Sequence, residues 1–326
     1  MQHTRVIYPV GHGGFAAEFI GDMCVAYDCG SNSNVTYITR SIDNLKNNGV
    51  KHIDYLVISH FDKDHVNSIR LLISKIKVVK ALVPAIPTDM RIVYIEATNG
   101  AYEDMIAMFG ENNLEVTPIE DDFTTSHPLW VWTVKSIITH ADWAKLASSL
   151  QKHKVDITRL NDAAYISSVH ADINNSFKAV WGNAGPNAKG LIMLSDKHRD
   201  ASVKLNTLGY SNNSLGCGNT GCVYLGDACV KTKQMLNFIA DFINANISDI
   251  RPLLLQIPHH GSKSNMSSSF LAALPSDYYF VCDADNARIN KNIYISAING
   301  KPQRKLMFVG VQFQQTIKGY IDVECR

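Results

Sequence analysis

A run of ligand-type residues directly after an apolar strand constrains this chain more than any other feature. Residues 55–59 read YLVIS, a short continuous apolar run of the kind that forms a strand buried on both faces. His60-Phe61-Asp62-Lys63-Asp64-His65 follows at once and places four potential metal ligands in six positions. A helix cannot present positions i, i+2, i+4 and i+5 on one face. A loop leaving a buried strand can, by turning several side chains toward one point. Imidazole and carboxylate together suit Zn²⁺ or Mn²⁺, and mixed His/Asp sets suit two ions sharing a bridging water.

Two later segments repeat that pattern. Val223-Tyr224-Leu225 ends in Gly226-Asp227, and the apolar run before Pro258 ends in His259-His260-Gly261-Ser262. Taken singly, a strand ending in Gly-Asp is an ordinary turn. In all three segments, however, a buried strand delivers His or Asp at its C-terminal end, where the ligand sites of α/β sheets gather. Together they point to a metal site.

The rest of the chain reads as strands alternating with helices in two halves. Strands are predicted at 4–10, 16–20, 23–27, 55–59, 78–83, 129–139, 222–225, 252–257, 278–282, 306–312 and 319–324. Helices are predicted at 41–47, 66–74, 101–109, 232–244 and 267–274. That order suits an α/β protein with two sheets and helices outside them. The Gly- and Asn-rich stretches at 182–190 and 209–221 read as long loops, a loop-rich insertion at about 182–221. Ligand candidates from residue 60 to residue 260 must converge on one centre, so a single domain over 1–326 is expected.

Composition narrows the class without naming it. With 46% hydrophobic and 19% charged residues, the chain is globular and not disordered. Its 31 Lys+Arg against 30 Asp+Glu give a net charge of +1, which argues against coating nucleic acid or an anionic membrane by bulk electrostatics. A local basic groove stays compatible with that balance. The seven cysteines are scattered, without a CxxC pair, and read as free thiols in a reducing compartment. The first residues lack a basic segment leading into an apolar one, and no apolar stretch approaches the roughly 20 residues that cross a bilayer. A soluble cytoplasmic protein with no membrane contact is expected.

The order strand-HxDxDH, strand-GD, strand-PHHGS resembles the metallo-β-lactamase fold superfamily. It is most similar to the branch found as the hydrolase domain of bacterial competence (DNA-uptake) proteins, which has Asp where most of the superfamily has the second His of HxHxDH. Asp62 holds that place here. Val10-Gly11-His12-Gly13-Gly14 and the later Asp28-Cys29-Gly30 resemble the branch's VGQGDA…IDGG start, with His12 and Gly14 in place of Gln and Asp and Cys29 in place of a glycine. The resemblance implies a four-layer αββα sandwich of two mixed β-sheets flanked by helices. The membrane channel domains of full competence proteins have no counterpart in these 326 residues.

Residue by residue, the resemblance implies that His60 and Asp62 bind one ion and Asp64 and His65 the second. Asp64 would also hold or deprotonate the bridging water. Asp227 would bridge both ions, His260 would complete a shell, and His259 would face the substrate as a proton donor. Asp28 would buttress a ligand histidine. The superfamily's further histidine ligand falls best on His140 and next on His170, while His3, His52, His127, His153 and His198 read as surface histidines. Lys63 and Lys263 are placed to meet an anionic substrate, with Lys197, Arg199, Lys231 and Lys233 near the motifs.

Such a centre, with two divalent ions (Zn or Mn), activates a metal-bridged hydroxide and fixes hydrolysis without fixing the substrate. The Asp62 carboxylate favours harder ions, and the lysines suit a phosphate backbone. A phosphodiesterase or nuclease acting on DNA, RNA or a nucleotide is therefore expected, alone or with a protein partner or as a homodimer. A small-molecule hydrolase of lactones, thioesters or lactams is the alternative.

Overall fold

A computed structural model describes residues 2–182, 185–199, 203–208, 219–262, 265–267, 269–283, 305–309 and 320–325. In chain order the strands are β1 (Gln2–Ile7), β2 (Gly13–Ile20), β3 (Met23–Ser31), β4 (His52–Val57), β5 (Lys77–Pro84), β6 (Glu115–Ile119), β7 (Asp122–His127) and β8 (Trp130–Ser136). They continue with β9 (Leu191–Lys197), β10 (Val203–Leu208), β11 (Cys222–Tyr224), β12 (Leu254–Gln256), β13 (Tyr278–Cys282), β14 (Lys305–Val309) and β15 (Tyr320–Cys325). Among the described residues they form an eight-stranded sheet in the order β10-β15-β1-β2-β3-β4-β5-β6 and a seven-stranded sheet in the order β14-β13-β12-β11-β9-β8-β7. Both sheets are mixed.

In the first sheet β3 to β6 run parallel, and in the second β11 to β14 do. Parallel neighbours need crossovers. Val35–Asn47 joins β3 to β4, Ile69–Lys75 lies between β4 and β5, and Lys233–Asn246 joins β11 to β12. Val35–Asn47 is helical because Asn34 caps it through Thr36 N–H, while Ile38, Ile42 and Leu45 bury one stripe. The parallel runs aim the C-terminal ends of β3, β4, β11, β12 and β13 at one edge of the sandwich.

Period-two burial separates the layers. Ala81 and Val83 of β5 pack under the helices on the outer face, whereas Leu82 points between the sheets. Leu191 and Met193 of β9 point between the sheets, and Ile192 and Leu194 pack under Lys233–Asn246. The result is the four-layer αββα sandwich that the family resemblance implied.

Several segments differ from the sequence reading. Within the span 182–221, read as loop-rich, Leu191–Lys197 and Val203–Leu208 are strands, and β9 pairs with both β8 and β11. Residues 209–218 lie outside the described residues. The helix Ala163–Trp181 was not foreseen, because the Ser, Asn and His residues between them mask the four-residue spacing of Val169, Ile173, Phe177 and Trp181. No helix among the described residues is long and apolar enough to cross a membrane. Cys24, Cys29, Cys222, Cys229 and Cys282 are free thiols.

His3 is not a surface residue. It is fully buried between the sheets, stacked on Trp130 with centroids 3.7 Å apart, and its Nε2 lies 3.0 Å from Glu18 Oε2. Arg5 Nε donates to Glu18 Oε1 at 2.6 Å, and Tyr224 and Trp132 donate to Glu18 from the second sheet. Glu18 pairs with Val25 near the start of β3, so this ionic cluster closes the end of the sandwich opposite the C-terminal strand ends.

Candidate metal centre

The three motifs meet at the C-terminal edge. His60 follows β4, Asp227 follows β11 and His259-His260 follows β12, as strand ends deliver them. Two groups of ligand atoms form there, each with its members within 4.8 Å of one another: His60, His65 and Asp227 in one, His12, Asp64 and His260 in the other.

Here Asp64 and His65, paired on one ion by the resemblance, fall into different groups. Lys63–Val66 is a single helical turn, so neighbouring side chains leave it roughly 100° apart. His65 is sent toward Asp227, with Nε2 to Oδ1 at 3.2 Å, and Asp64 toward His260, with Oδ2 to Nε2 at 3.0 Å. The two groups touch: His65 Nε2 is 4.0 Å from Asp64 Oδ2, and His260 Nε2 is 3.9 Å from Asp227 Oδ1. Asp62 belongs to neither group, although its Oδ2 comes within 3.9 Å of His60 Nε2.

A frame of hydrogen bonds fixes the rings. Asp28 accepts Ser59 N–H and Ser59 Oγ–H, each at 2.7 Å, and its Oδ2 takes His65 Nδ1 at 2.8 Å. Ser59 Oγ in turn lies 2.8 Å from His60 Nδ1. Close backbone packing makes this frame possible. A Cβ on Gly30 would stand 2.6 Å from the backbone of Asp64 and His65, and one on Gly226 would stand 2.7 Å from Ser59 Cβ. Asp28, His259 and His260 all hold positive φ, near +50° to +55°. Backbone strain of this kind persists where the surroundings over-determine it, commonly at functional sites.

The residues fit a divalent ion by a direct test. His60 Nε2 is buried without a hydrogen-bond partner, and His65 Nε2 and Asp227 Oδ1 are buried facing each other at 3.2 Å with no other partner. Buried polar atoms without partners are rare in folded proteins and demand a reason. Three such atoms converging, two imidazole and one carboxylate, form a donor set that Zn²⁺ or Mn²⁺ accepts.

The charges are coupled accordingly. Burial pushes the His60 imidazole down, and neighbouring His65 adds to that. Burial opposes the charged form of His65 too, but Asp227 and Asp28 outweigh it and hold this ring well above its ordinary value. Burial would raise Asp227 and Asp64. His65 and His259 pull Asp227 well below the usual carboxylate range, and His260 and His65 pull Asp64 below it. Asp62 goes the other way, raised chiefly by burial.

No protein-family model matches the chain, and no curated protein does. Solved structures do. The metallo-β-lactamase fold protein YhfI from Bacillus subtilis covers 100% of this chain and 99% of its own, with a TM-score of 0.50 at 10% identity. This chain has the metallo-β-lactamase fold. A variant of the β-hydroxylase CmlA also matches, with a TM-score of 0.50 and 12% identity over 93% of this chain. The match spans 52% of CmlA, about half its length. Zn²⁺-bound PqqB from Methylobacterium extorquens has a TM-score of 0.48 and 11% identity, covering 94% of this chain and 98% of that one.

On this metallo-β-lactamase fold, the remaining expected residues divide. Asp28 sits behind His65, as a buttress would. His259 is partly exposed, with Nδ1 2.8 Å from Asp227 Oδ2. His140 is corrected: it is exposed and belongs to neither group. Thr139 and Asp142 form a capping box that starts a helix at His140, which carries the ring away with the helix surface. His170 lies outside both groups as well, bonded to Glu96 at 2.5 Å and to Asn174. Lys197 stands at the far end of β9, roughly 20 Å along the strand from its start beside Ser59, and pairs with Asp249. Lys263 lies outside the described residues.

Sequence reasoning did not foresee the pocket. A cavity of about 470 Å³ opens beside Asp62 and Asp64, lined also by Lys63, Asn32, Asn99, Asn174 and Lys178. Lys178 and Asn174 come from the unforeseen helix Ala163–Trp181. Its signal was present as a four-residue apolar spacing after the capping residue Asp162. Asp283 was missed too, although it follows Tyr278–Cys282 directly, just as the motif residues follow their strands.

Proposed function

We propose that this chain is a metal-dependent hydrolase, a phosphodiesterase or nuclease acting on DNA, RNA or a nucleotide. The polar cavity beside Asp62 and Asp64 carries the reading. Pockets for apolar esters are lined mostly by hydrophobic side chains. Two lysines and three asparagines, by contrast, offer ammonium and amide donors to phosphoryl oxygens. A volume of about 470 Å³ admits a nucleotide-sized portion of a substrate. Asp62, in the place where the competence-like pattern has its carboxylate, supports the same choice by favouring harder ions.

In this reading His60, His65 and Asp227 hold one divalent ion, Zn or Mn, with Asp62 reaching it from the cavity side. Asp64 and His260 hold the second. When bound, the ions supply Lewis acidity and an activated water. Asp64, whose carboxylate faces both groups, holds and orients that water. His259, with Nδ1 facing Asp227 at 2.8 Å, keeps Nε2 to protonate the leaving oxygen. Lys63 and Lys178 neutralise the phosphate and orient it.

Chelator-stripped protein reloaded with Mn²⁺, Mg²⁺ or Zn²⁺ tests this against bis-p-nitrophenyl phosphate, single- and double-stranded DNA, RNA and cyclic dinucleotides. Metal-dependent turnover of a phosphodiester is expected. Turnover of lactones or thioesters with none of any phosphodiester overturns the reading in favour of a small-molecule hydrolase.

A further inference from the structure

Four imidazoles share one arrangement at the centre. In each, Nδ1 is held by an oxygen: His60 by Ser59 Oγ at 2.8 Å, His65 by Asp28 Oδ2 at 2.8 Å, His260 by the Cys282 carbonyl at 2.5 Å, and His12 by Asp283 Oδ1 at 3.2 Å. In each, Nε2 is the nitrogen that meets the central carboxylates. His60 and His65 approach Asp227 at 3.8 and 3.2 Å, and His260 and His12 approach Asp64 Oδ2 at 3.0 and 3.5 Å. One ring nitrogen fixed by an oxygen, leaving the other for the metal, is how ligand histidines are oriented.

His12 is the odd member, since it comes from the loop between β1 and β2 and not from a motif at the end of a parallel strand. Its position is nonetheless set. Its backbone N–H donates to Ser33 Oγ at 3.0 Å, and its carbonyl accepts from Asn32 N–H at 2.7 Å. Gly11, at φ +81°, turns the chain just before it, and the ring lies on His260 with centroids 4.0 Å apart. Donors bound at about 2.0–2.2 Å to one ion lie within about 4.4 Å of each other. The atoms of His12, Asp64 and His260, all within 4.8 Å, need only a small contraction to meet that limit.

We infer that His12 is a ligand of the second ion, alongside Asp64 and His260, and that Asp283 is the positioning residue that orients its ring. This rests on the metal-centre reading above. It replaces the histidine sought at His140 or His170 with one from the loop between β1 and β2, and supplies it to the second ion.

Chelator-stripped wild type, His12→Ala and Asp283→Asn, titrated with Zn²⁺ and Mn²⁺ by calorimetry and checked by elemental analysis, separate the outcomes. The wild type is expected to bind two equivalents and His12→Ala only one. Asp283→Asn should weaken the second equivalent by about 10–100-fold and leave the first unchanged. If both variants bind the second equivalent as the wild type does, His12 is no ligand while the metal centre stands. A wild type that binds no metal overturns both. Circular dichroism of the apo proteins confirms folding, and should His12→Ala fail to fold, Asp283→Asn decides alone.

Discussion

Two carboxylates are buried between the same pair of sheets in opposite circumstances. Glu18, at the closed end, has both oxygens engaged. Oε1 accepts from Arg5 and Tyr224, and Oε2 from His3, Trp132 and Ser195. Asp227, at the C-terminal edge, has Oδ1 without a hydrogen bond and faces two imidazole nitrogens in the same state. A buried charge surrounded by donors is part of the architecture. A buried carboxylate flanked by imidazoles whose Nδ1 atoms are held from behind is suited to a divalent ion.

Removing a member from each cluster should give opposite phenotypes, and the largest effect belongs to the open one. Asp64→Ala is expected to lower phosphodiester turnover by at least about 10²-fold, with one metal equivalent lost and the circular dichroism spectrum retained. Full activity in this variant would remove Asp64 from the mechanism. His259→Ala should cost turnover with both metal equivalents kept, since only its Nε2 is asked to act.

At the closed end, Glu18→Ala is expected to destabilise the fold by about 3–5 kcal/mol in chemical denaturation, because the buried Arg5 guanidinium loses its counterion. Metal content of the folded fraction should match the wild type. A loss under about 1 kcal/mol would mean that Thr220, Ser195 and Trp130 suffice to hold Arg5.

The same carboxylate should be visible in the pH dependence of stability. Burial would raise Glu18, but Arg5 and His3 hold it below its ordinary 4.5. Its contribution is therefore complete above about pH 4.5 and is lost as pH falls below that through the lower folded value. Denaturation midpoints of Glu18→Gln should start lower and fall less steeply on acidification than those of the wild type. Parallel acid limbs would show that Glu18 is not a main source of acid sensitivity.

The smallest effect is expected in the cavity. Lys178→Ala should raise KM for a phosphodiester about three- to tenfold with kcat nearly unchanged, because an exposed ammonium contributes on the order of 1 kcal/mol. An unchanged KM would move the substrate away from this wall.

What the sequence determined by itself was local. An apolar run followed at once by His or Asp is legible because strand and ligand are neighbours in the chain. His60, Asp64, His65, Asp227 and His260 could all be read in this way, and the sandwich followed from the superfamily that their order resembles. Tertiary structure alone decided what depends on distant partners. Asp283 meets His12 across 271 positions, and Tyr224 meets Glu18 across 206. Nothing in the local pattern of His3, Arg5 and Glu18 separates a buried network from surface charge, since which face of β1 and β2 is covered depends on β8, β9 and β11 arriving from far downstream. The split of Asp64 from His65 likewise follows from one helical turn that packs against Gly30. Local chemistry named the candidate ligands, and packing gave them their neighbours.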